Sequence, residues 1–380
     1  MDFEFSDEQE QLRESVAGFL AARAPLAWVR AQYGSTPSET DEVWRGLCDL
    51  GVTGLMVPAA CGGAGGGMVD AAVVLEELGR ALYPGPYASS AIAAASIVML
   101  AGRPADHAAL LPGIAAGTTV GTVALLEGGT RAAWRAPGSR ATRADDGWRL
   151  DGKKVHVPDL AVADVVLASA LEPDGTLAMF AVSTGGPGVR VVPAATVDGT
   201  RPEGTLVLEQ APARRLGDGD GTEAVAATVD RVAAAAVVDG VGTAERALEI
   251  SVEYAKERRQ FDALIGSFQA IQHLCADMLR SVELARAAGY YACWAADAAP
   301  PAERHRAATM ALAFAGGELA QVGGSAVQVH GGIGFTWEHD IHLFYKRLLT
   351  LQALGGGSAD QLEELAAVVL GPLFGRSVPP

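Results

Sequence analysis

Residues 254–278 read YAKERRQFDALIGSFQAIQHLCADM. Two arginines, Arg258 and Arg259, stand together in this stretch and are followed by Gln260, Phe261 and Gln269. A guanidinium stays charged at any ordinary pH and offers several donors in a fixed plane, which suits it to phosphate oxygens. The same charges also fit a solvated helix face on which Arg258 and Arg259 pair with Glu253 or Glu257, the commoner arrangement for such residues. Both readings stand until the surrounding sequence is considered.

Upstream, a Gly/Asp linker at 217–220 separates two kinds of sequence. Before it, residues 117–216 hold short runs rich in β-branched and apolar residues: TVGTVALL, GWRLDGKKVHV, DVVLASA, LAMFAVS, VRVVP and GTLVLEQ. Turn formers such as DDG, DGK, PDG and GGPG divide them, the pattern of an antiparallel β-domain. Earlier still, Ser6 and Gln9 form a capping-box pattern, and Leu12, Val16, Phe19 and Leu20 recur at helical spacing, so a helix is expected from about Asp7. Further helices are expected at 41–52, 71–82 and near 91–100, with a Gly-rich loop at 57–67. After the linker helical spacing persists nearly to the end, with turns near 299–301 and 331–334. The expected class is α+β: an N-terminal helical domain (1–116), a middle antiparallel β-domain (117–220) and a C-terminal helical bundle (221–380).

Composition bounds the function. With 380 residues, 49% of them hydrophobic, the chain can bury a large core in two or three domains. Its 29 Lys and Arg against 45 Asp and Glu leave a formal charge of −16, a field that disfavours nucleic acid and anionic membranes. Cys48, Cys61, Cys275 and Cys293 show no CxxC spacing and have apolar or Gly-rich neighbours, so reduced thiols, a cytoplasmic location and no structural metal are expected. The N-terminal MDFEFSDEQEQLRESV lacks the basic start and apolar run of a secretory signal and reads as mature sequence. The most apolar stretch, near 91–101, is too short to span hydrocarbon comfortably, so no membrane insertion is expected.

A second informative stretch, AVQVHGGIGFTWEHDIHLFYKR, covers 326–347. Its paired glycines permit close backbone contact with a ligand, although a lone GGxG turn can also simply join two helices. His330 and His339 have no metal-like partner spacing and read as hydrogen-bonded surface or interface residues. Trp337, Phe344 and Tyr345 read as packing residues.

Together these stretches resemble two signatures of the acyl-CoA dehydrogenase family. The first is similar to YAxxRxxFGxPIxxFQ, with Tyr254, Arg258, Phe261, Ile265, Phe268 and Gln269 in matching places; the second resembles QxxGGxGF. Softer likenesses in the right order are VPAACGGAGGG (57–67) to the family's PEEYGGxG loop, LEELGRAL (75–82) to its LEELGR helix, and 146–170 to its central β-domain. The resemblance implies an acyl-CoA dehydrogenase-like fold with a C-terminal four-helix bundle that mediates tetramer formation. It also implies FAD as cofactor, with Arg258 on the pyrophosphate from a neighbouring subunit, Gln260, Phe261 and Gln269 lining the same cofactor, and Gln328, Gly331 and Gly332 near the adenosine half. The implied reaction oxidises the Cα–Cβ bond of an acyl-CoA to a 2-enoyl-CoA, with electron-transfer flavoprotein as the expected acceptor.

The chain departs from the family at the chemistry. The TEPxxGSD segment is replaced by LLEGGTRAAW (125–134), and WIT by His156, Val157 and Pro158, where proline removes a donor and a hydroxyl. The base should be a glutamate, whose desolvation beside the acyl chain raises its proton affinity. Where many members have that glutamate before Gly-Thr-Ser, this chain has LGGGSADQ: Gly355 takes its place, while Ser358, a candidate cofactor contact, and Gln361 remain. Other members carry it on the first bundle helix before an arginine, and Asp230 before Arg231 corresponds. An ungapped count from Tyr254 instead reaches Val232, and the next acid on that face is Asp239, two turns or about 10.5 Å away. Nine positions place Asp230 and Asp239 on nearly opposite faces of a regular helix, so only one could face a flavin; both also fit a solvated helix face. Four functions remain open: a dehydrogenase using Asp230 or Asp239; a non-catalytic subunit of a heterotetramer, completing a partner's FAD site through Arg258; a related flavoenzyme acting on a carrier-protein thioester or with oxygen; and a structural partner without flavin. As a self-sufficient enzyme the chain would be a homotetramer.

Overall fold

The first helix starts at its capping box. In the computed structural model, which describes residues 5–34, 42–128 and 134–371, the Ser6 hydroxyl accepts from the Gln9 amide at 3.3 Å and the Gln9 side chain accepts from the Ser6 amide at 3.0 Å. Among the described residues, six α-helices precede the strands: α1 (Asp7–Arg23), α2 (Leu26–Gln32), α3 (Glu42–Asp49), α4 (Met68–Arg80), α5 (Ala95–Ala101) and α6 (Pro104–Ala115). Seven strands follow: β1 (Gly121–Ala124), β2 (Arg140–Ala144), β3 (Gly147–Pro158), β4 (Val165–Leu171), β5 (Leu177–Ser183), β6 (Val189–Ala194) and β7 (Glu203–Arg215). Then come α7 (Thr222–Glu257), a short hairpin of β8 (Arg259–Gln260) and β9 (Ala263–Leu264), α8 (Gln269–Ala298), α9 (Pro301–His330), α10 (Ile341–Ala353) and α11 (Ser358–Leu370). The order is the expected one of helices, strands and helices. Among the described residues no helix is long and apolar enough to cross a membrane.

Backbone contacts divide the chain into two units. One comprises Gln32–Ala71 and Pro84–Val232. Its sheet runs β1-β4-β2-β3-β7-β5, with β6 on β7, and the extra β4–β5 pairing closes five strands into a circuit. Most pairings are antiparallel, as expected, but β1 and β2 both run parallel to β4, an order that alternation along the sequence cannot reveal. Side-chain alternation assigns β4 to two cores. Val165 and Leu167 pack with Ile97, Val98, Leu111 and Met179, whereas Val166, Ala168 and Ala170 pack with Leu150, Phe180 and Leu206. A one-residue slip would exchange these sets. The Ala-rich run expected as a helix is π-helical over Ala88–Ala94 before continuing as α5.

The other unit comprises the described residues of Met1–Ala31, Ala72–Tyr83 and Ala233–Pro380. Here α9 packs against α8, α10 and α11, through a row of small residues that includes Ala307, Ala311, Ala315 and Gly323. Helices α4 and α7 cross on a reciprocal glycine contact. A Cβ on Gly79 would lie 2.0 Å from the Asp239 carbonyl, and one on Gly242 1.9 Å from the Glu76 carbonyl, so neither position accepts a side chain. Around this crossing Arg80 holds Glu249 at 2.8 Å, and Arg286 holds Glu76 at 3.0 Å and Glu245 at 2.8 Å.

Candidate active site

At the end of α7 the chain turns sharply. The Arg258 amide still donates to the Tyr254 carbonyl at 2.9 Å, and the Ile265 amide returns to the Arg258 carbonyl at 2.9 Å. Between them β8 and β9 pair Arg259 with Leu264 and Gln260 with Ala263. The two turn residues, Phe261 and Asp262, have φ of 52° and 61°, which is the left-handed pair that a type I′ hairpin requires. Asp262 stands where the signature has glycine, and a short polar side chain tolerates this region better than most. The turn displays Phe261, 91% exposed, with its ring edge-on to Phe268 at 6.4 Å. Arg258, Gln260 and Gln269 are exposed beside it. Glu253 pairs with Lys256 at 2.6 Å, and among the described residues neither Arg258 nor Arg259 forms an ion pair. The solvated-pair alternative for the two arginines is thus not the arrangement found.

The second stretch closes α9. Gly331 takes φ 64° and ψ −141°, a conformation open to glycine, and the chain continues as a 3-10 turn over Gly331–Phe335. Among the described residues, a Cβ on Gly331 or Gly332 would meet nothing within 4 Å, so these glycines leave open space instead of making room for another described part of the unit. Gln328 is exposed, as are Phe335 at 76% and Trp337 at 56%. The two stretches meet: the Tyr254 ring stacks on His330 with centroids 4.4 Å apart, and Ile265 and Val329 share an apolar cluster with Ala255, Ile271 and Leu274. Two sequence expectations change. His330 is buried, not on the surface, with its Nδ1 2.7 Å from the Ala326 carbonyl. Trp337 is largely exposed, edge-on to His342 and capped by the Lys346 ammonium at 4.5 Å, whereas Phe344 is buried as expected of a packing residue.

The acids on α7 fare differently. Asp239 is buried against Arg347, Oδ2 to Nη1 at 3.4 Å, and Arg347 also donates to the Tyr83 carbonyl at 3.0 Å. This buried contact with a guanidinium is the geometry of a structural ion pair. Asp230 lies on the part of α7 that belongs to the other unit and is also buried; the neighbouring Arg231 donates to the Ser96 hydroxyl at 3.3 Å. Neither has the solvated position left open by the sequence. Gly355 has φ 66° and ψ 10°, a left-handed position at the end of α10. Gln361 is buried and donates to the Leu354 carbonyl, tying α11 to that end. Ser358 opens α11, and its side chain lies outside the described residues, as do residues 129–133 of the LLEGGTRAAW segment.

In the sheet, the WIT replacement is irregular. The β3–β7 register shifts between Lys154 and Val157, and His156 and Asp159 have φ of 51° and 50°. His156 turns outward to Glu203 at 2.8 Å, Val157 is buried, and the Pro158 carbonyl accepts from Thr122 at 2.7 Å. Sequence reasoning missed the ion pair beside it. Lys154 is wholly buried, with Nζ 2.7 Å from Glu127 and 3.0 Å from Ser169, and Glu127 also accepts from the Ser139 hydroxyl at 2.7 Å. Burial pushes the Lys154 ammonium below its usual value, against the pull of Glu127. Burial alone would raise the Glu127 carboxyl, but the bonds from Lys154 and Ser139 hold it below the usual carboxylate range. The available signal was the inward phase of Lys154 in an alternating strand. A groove of about 1000 Å³, lined by Arg13, Glu76, Arg80, Glu249 and Arg286 among others, includes no residue of either signature stretch in its lining.

Residues 6–118 match the acyl-CoA dehydrogenase N-terminal domain and residues 219–370 the acyl-CoA dehydrogenase C-terminal domain. The chain belongs to the acyl-CoA dehydrogenase family. It is 34% identical over 358 residues to the acyl-CoA dehydrogenase IpdE2 of Mycobacterium tuberculosis, covering 94% of this chain and 93% of that one. A structure of a variant of the Tcur3481-Tcur3483 steroid ACAD is similar at 31% identity and a TM-score of 0.86, covering 97% and 99% of the two chains. The ChsE4-ChsE5 complex from Mycobacterium tuberculosis contains a chain similar at 29% identity and a TM-score of 0.86, covering all of both chains. The protein is thus an acyl-CoA dehydrogenase-type oxidoreductase, with both signature stretches and glycine at position 355.

Proposed function

We propose that this chain is one subunit of a heteromeric, FAD-dependent acyl-CoA dehydrogenase, in which it helps to bind the flavin dinucleotide and a second subunit supplies the catalytic base. The observation that supports this reading is the contrast between the exposed residues of the two signature stretches and the lack of a carboxylate at position 355. Arg258 is exposed and without an ion pair among the described residues, next to Gln260, Phe261 and Gln269, and Gly331 and Gly332 face open space. This donor set fits a dinucleotide: Arg258 would hold the pyrophosphate, Phe261 would lie along the cofactor, and Gln328 with the two glycines would approach the adenosine. Against this, Gly355 carries no carboxylate and Asp239 is committed to Arg347. FAD, when bound, would supply an acceptor for a hydride from Cβ, and the α-proton would go to the second subunit's base. This chain's contribution is to orient the cofactor and exclude water. Similarity to a steroid ACAD and to one chain of the ChsE4-ChsE5 complex supports both a bulky acyl-CoA substrate and a paired subunit. Electron-transfer flavoprotein is the proposed acceptor.

A second reading rests on Asp230, buried on α7. If it faces the substrate, the chain is a self-sufficient homotetrameric dehydrogenase. The two readings are separated by anaerobic addition of acyl-CoA thioesters, including steroid-derived ones, to the chain purified alone and then with its second subunit. Flavin that bleaches only in the pair supports the first. Bleaching in the chain alone that Asp230→Asn abolishes supports the second, and a chain that holds no flavin in either preparation overturns both. Oxygen consumed in proportion to substrate would instead indicate a related flavoenzyme chemistry.

A further inference from the structure

We propose that Tyr254, His330 and His339 form a latch that holds the Arg258 hairpin and the Gln328 turn together while both imidazoles are neutral, and that acidification opens it. The proposal rests on the flavin-binding reading of these two segments for its consequence, but not for its geometry.

The three rings come from three places: Tyr254 from the last turns of α7, His330 from the last residue of α9, and His339 from the loop before α10. His330 lies 4.4 Å from Tyr254 and 4.4 Å from His339, centroid to centroid, and Tyr254 meets His339 edge-on at 6.1 Å. Tyr254 is four residues before Arg258, and His330 stands between Gln328 and Gly331. A shift in this stack therefore moves both segments.

The hydrogen bonds define where a proton would go. His330 Nδ1 faces a carbonyl, so it carries the hydrogen and donates to Ala326. Its other nitrogen, Nε2, is buried with no hydrogen-bond partner among the described residues. His339 Nδ1 accepts from the Ile341 amide at 3.1 Å, the first amide of α10, so it carries no hydrogen. A proton on His339 would break that bond, and a proton on His330 would enter a buried position with no acceptor. Together they would place two like charges in adjacent rings. Burial, the first cause in each case, pushes both imidazoles below their ordinary value.

Other charges nearby do not cancel this effect. Asp340 favours a charged His339, but it is taken by Arg30 at 2.8 Å. On α10, His342 has its own buried Nε2 without a hydrogen-bond partner among the described residues, and Lys346 lies over Trp337. Tyr254 supplies an aromatic face. A histidine whose proton affinity is lower in the closed state favours closure fully above the ordinary imidazole value of about 6.5, and the closure is lost as pH falls below it.

The test is amide hydrogen exchange, read by mass spectrometry at pH 7.5 and 5.5 and corrected for the intrinsic pH dependence, on wild type and on His330→Asn/His339→Asn. Asparagine can donate to the Ala326 carbonyl at 330 and accept from the Ile341 amide at 339, while neither residue titrates. Flavin retention is followed in parallel. In the wild type, protection of 258–265 and 331–341 is expected to fall at least tenfold at pH 5.5, with little change in α8, and the double variant should keep it. Equal protection of the wild type at both pH values, or an equal loss in the variant, would overturn the latch. If the double variant does not fold, His339→Asn alone should move the midpoint of the wild-type loss to lower pH, and an unmoved midpoint would overturn it as well. Protection that responds to pH in a protein that never holds flavin would support the latch while removing the flavin reading.

Discussion

Replacing Asp239 with asparagine separates a structural acid from a catalytic one. The Asp239 and Arg347 side chains are 9% and 2% exposed, so the charge left on Arg347 cannot be solvated in place. Removing one member of a buried pair costs about 3–5 kcal/mol. The low end applies here, because the asparagine oxygen still accepts a hydrogen bond and Arg347 keeps the Tyr83 carbonyl. About 3 kcal/mol corresponds to a fall in melting temperature of roughly 4 °C if the whole chain melts together, or roughly 7 °C if the helical unit melts alone. The assay is calorimetry of the assembled protein, with the reductive half-reaction measured per folded site below the transition. The expected result is a lower melting temperature with a half-reaction rate within about threefold of wild type. An unchanged melting temperature, accompanied by a rate loss of the 10²–10⁴-fold that removal of a general base brings, would refute the structural assignment.

The same reasoning reaches other sites. Arg258→Lys should lower the flavin-to-protein absorbance ratio at least tenfold without changing the melting temperature, because lysine offers a point charge in place of a planar fork on an exposed site. Lys154→Met should cost about 3 kcal/mol by leaving Glu127 without its cation, and Lys154→Met/Glu127→Gln should recover part of that in a thermal melt. Because Glu127 is held below the usual carboxylate range, its contribution is complete above pH 4.5 and is lost as pH falls through the lower folded value; the wild-type melting temperature should therefore drop more steeply below pH 4.5 than that of the double variant. Asp262→Gly should stabilise the β8–β9 hairpin by about 0.5–1 kcal/mol, read as slower amide exchange at Ile265, since φ of 61° costs glycine nothing.

What could be read from the sequence was mostly local. Ser6 and Gln9 announce α1 because a capping box involves residues three apart, and the β-domain shows itself in turn chemistry between alternating runs. Helix α6 is absent from the sequence expectations; it carries Pro104 at its start, where proline is favourable, and Pro112 within it, where proline is not. Strand β2, RATRA, is too polar to register, since only Ala141 faces the core. At the site, the motifs placed Arg258 and Gln328 in their segments, and the ring stack that joins those segments was not legible, because Tyr254 and His330 are brought together by packing alone. The same holds for Asp239. Its partner Arg347 lies 108 residues away, and the spacing along α7 that marked Asp239 as a possible base says nothing of what occupies its other side.

The heteromeric reading meets its most direct test in the visible spectrum of the chain under anaerobic acyl-CoA, first alone and then after assembly with its second subunit. The expected result is no bleaching of flavin in the chain alone and full bleaching in the assembled pair, unaffected by Asp230→Asn in this chain. Full bleaching by the chain alone, lost on Asp230→Asn, would contradict it and make this protein a complete dehydrogenase.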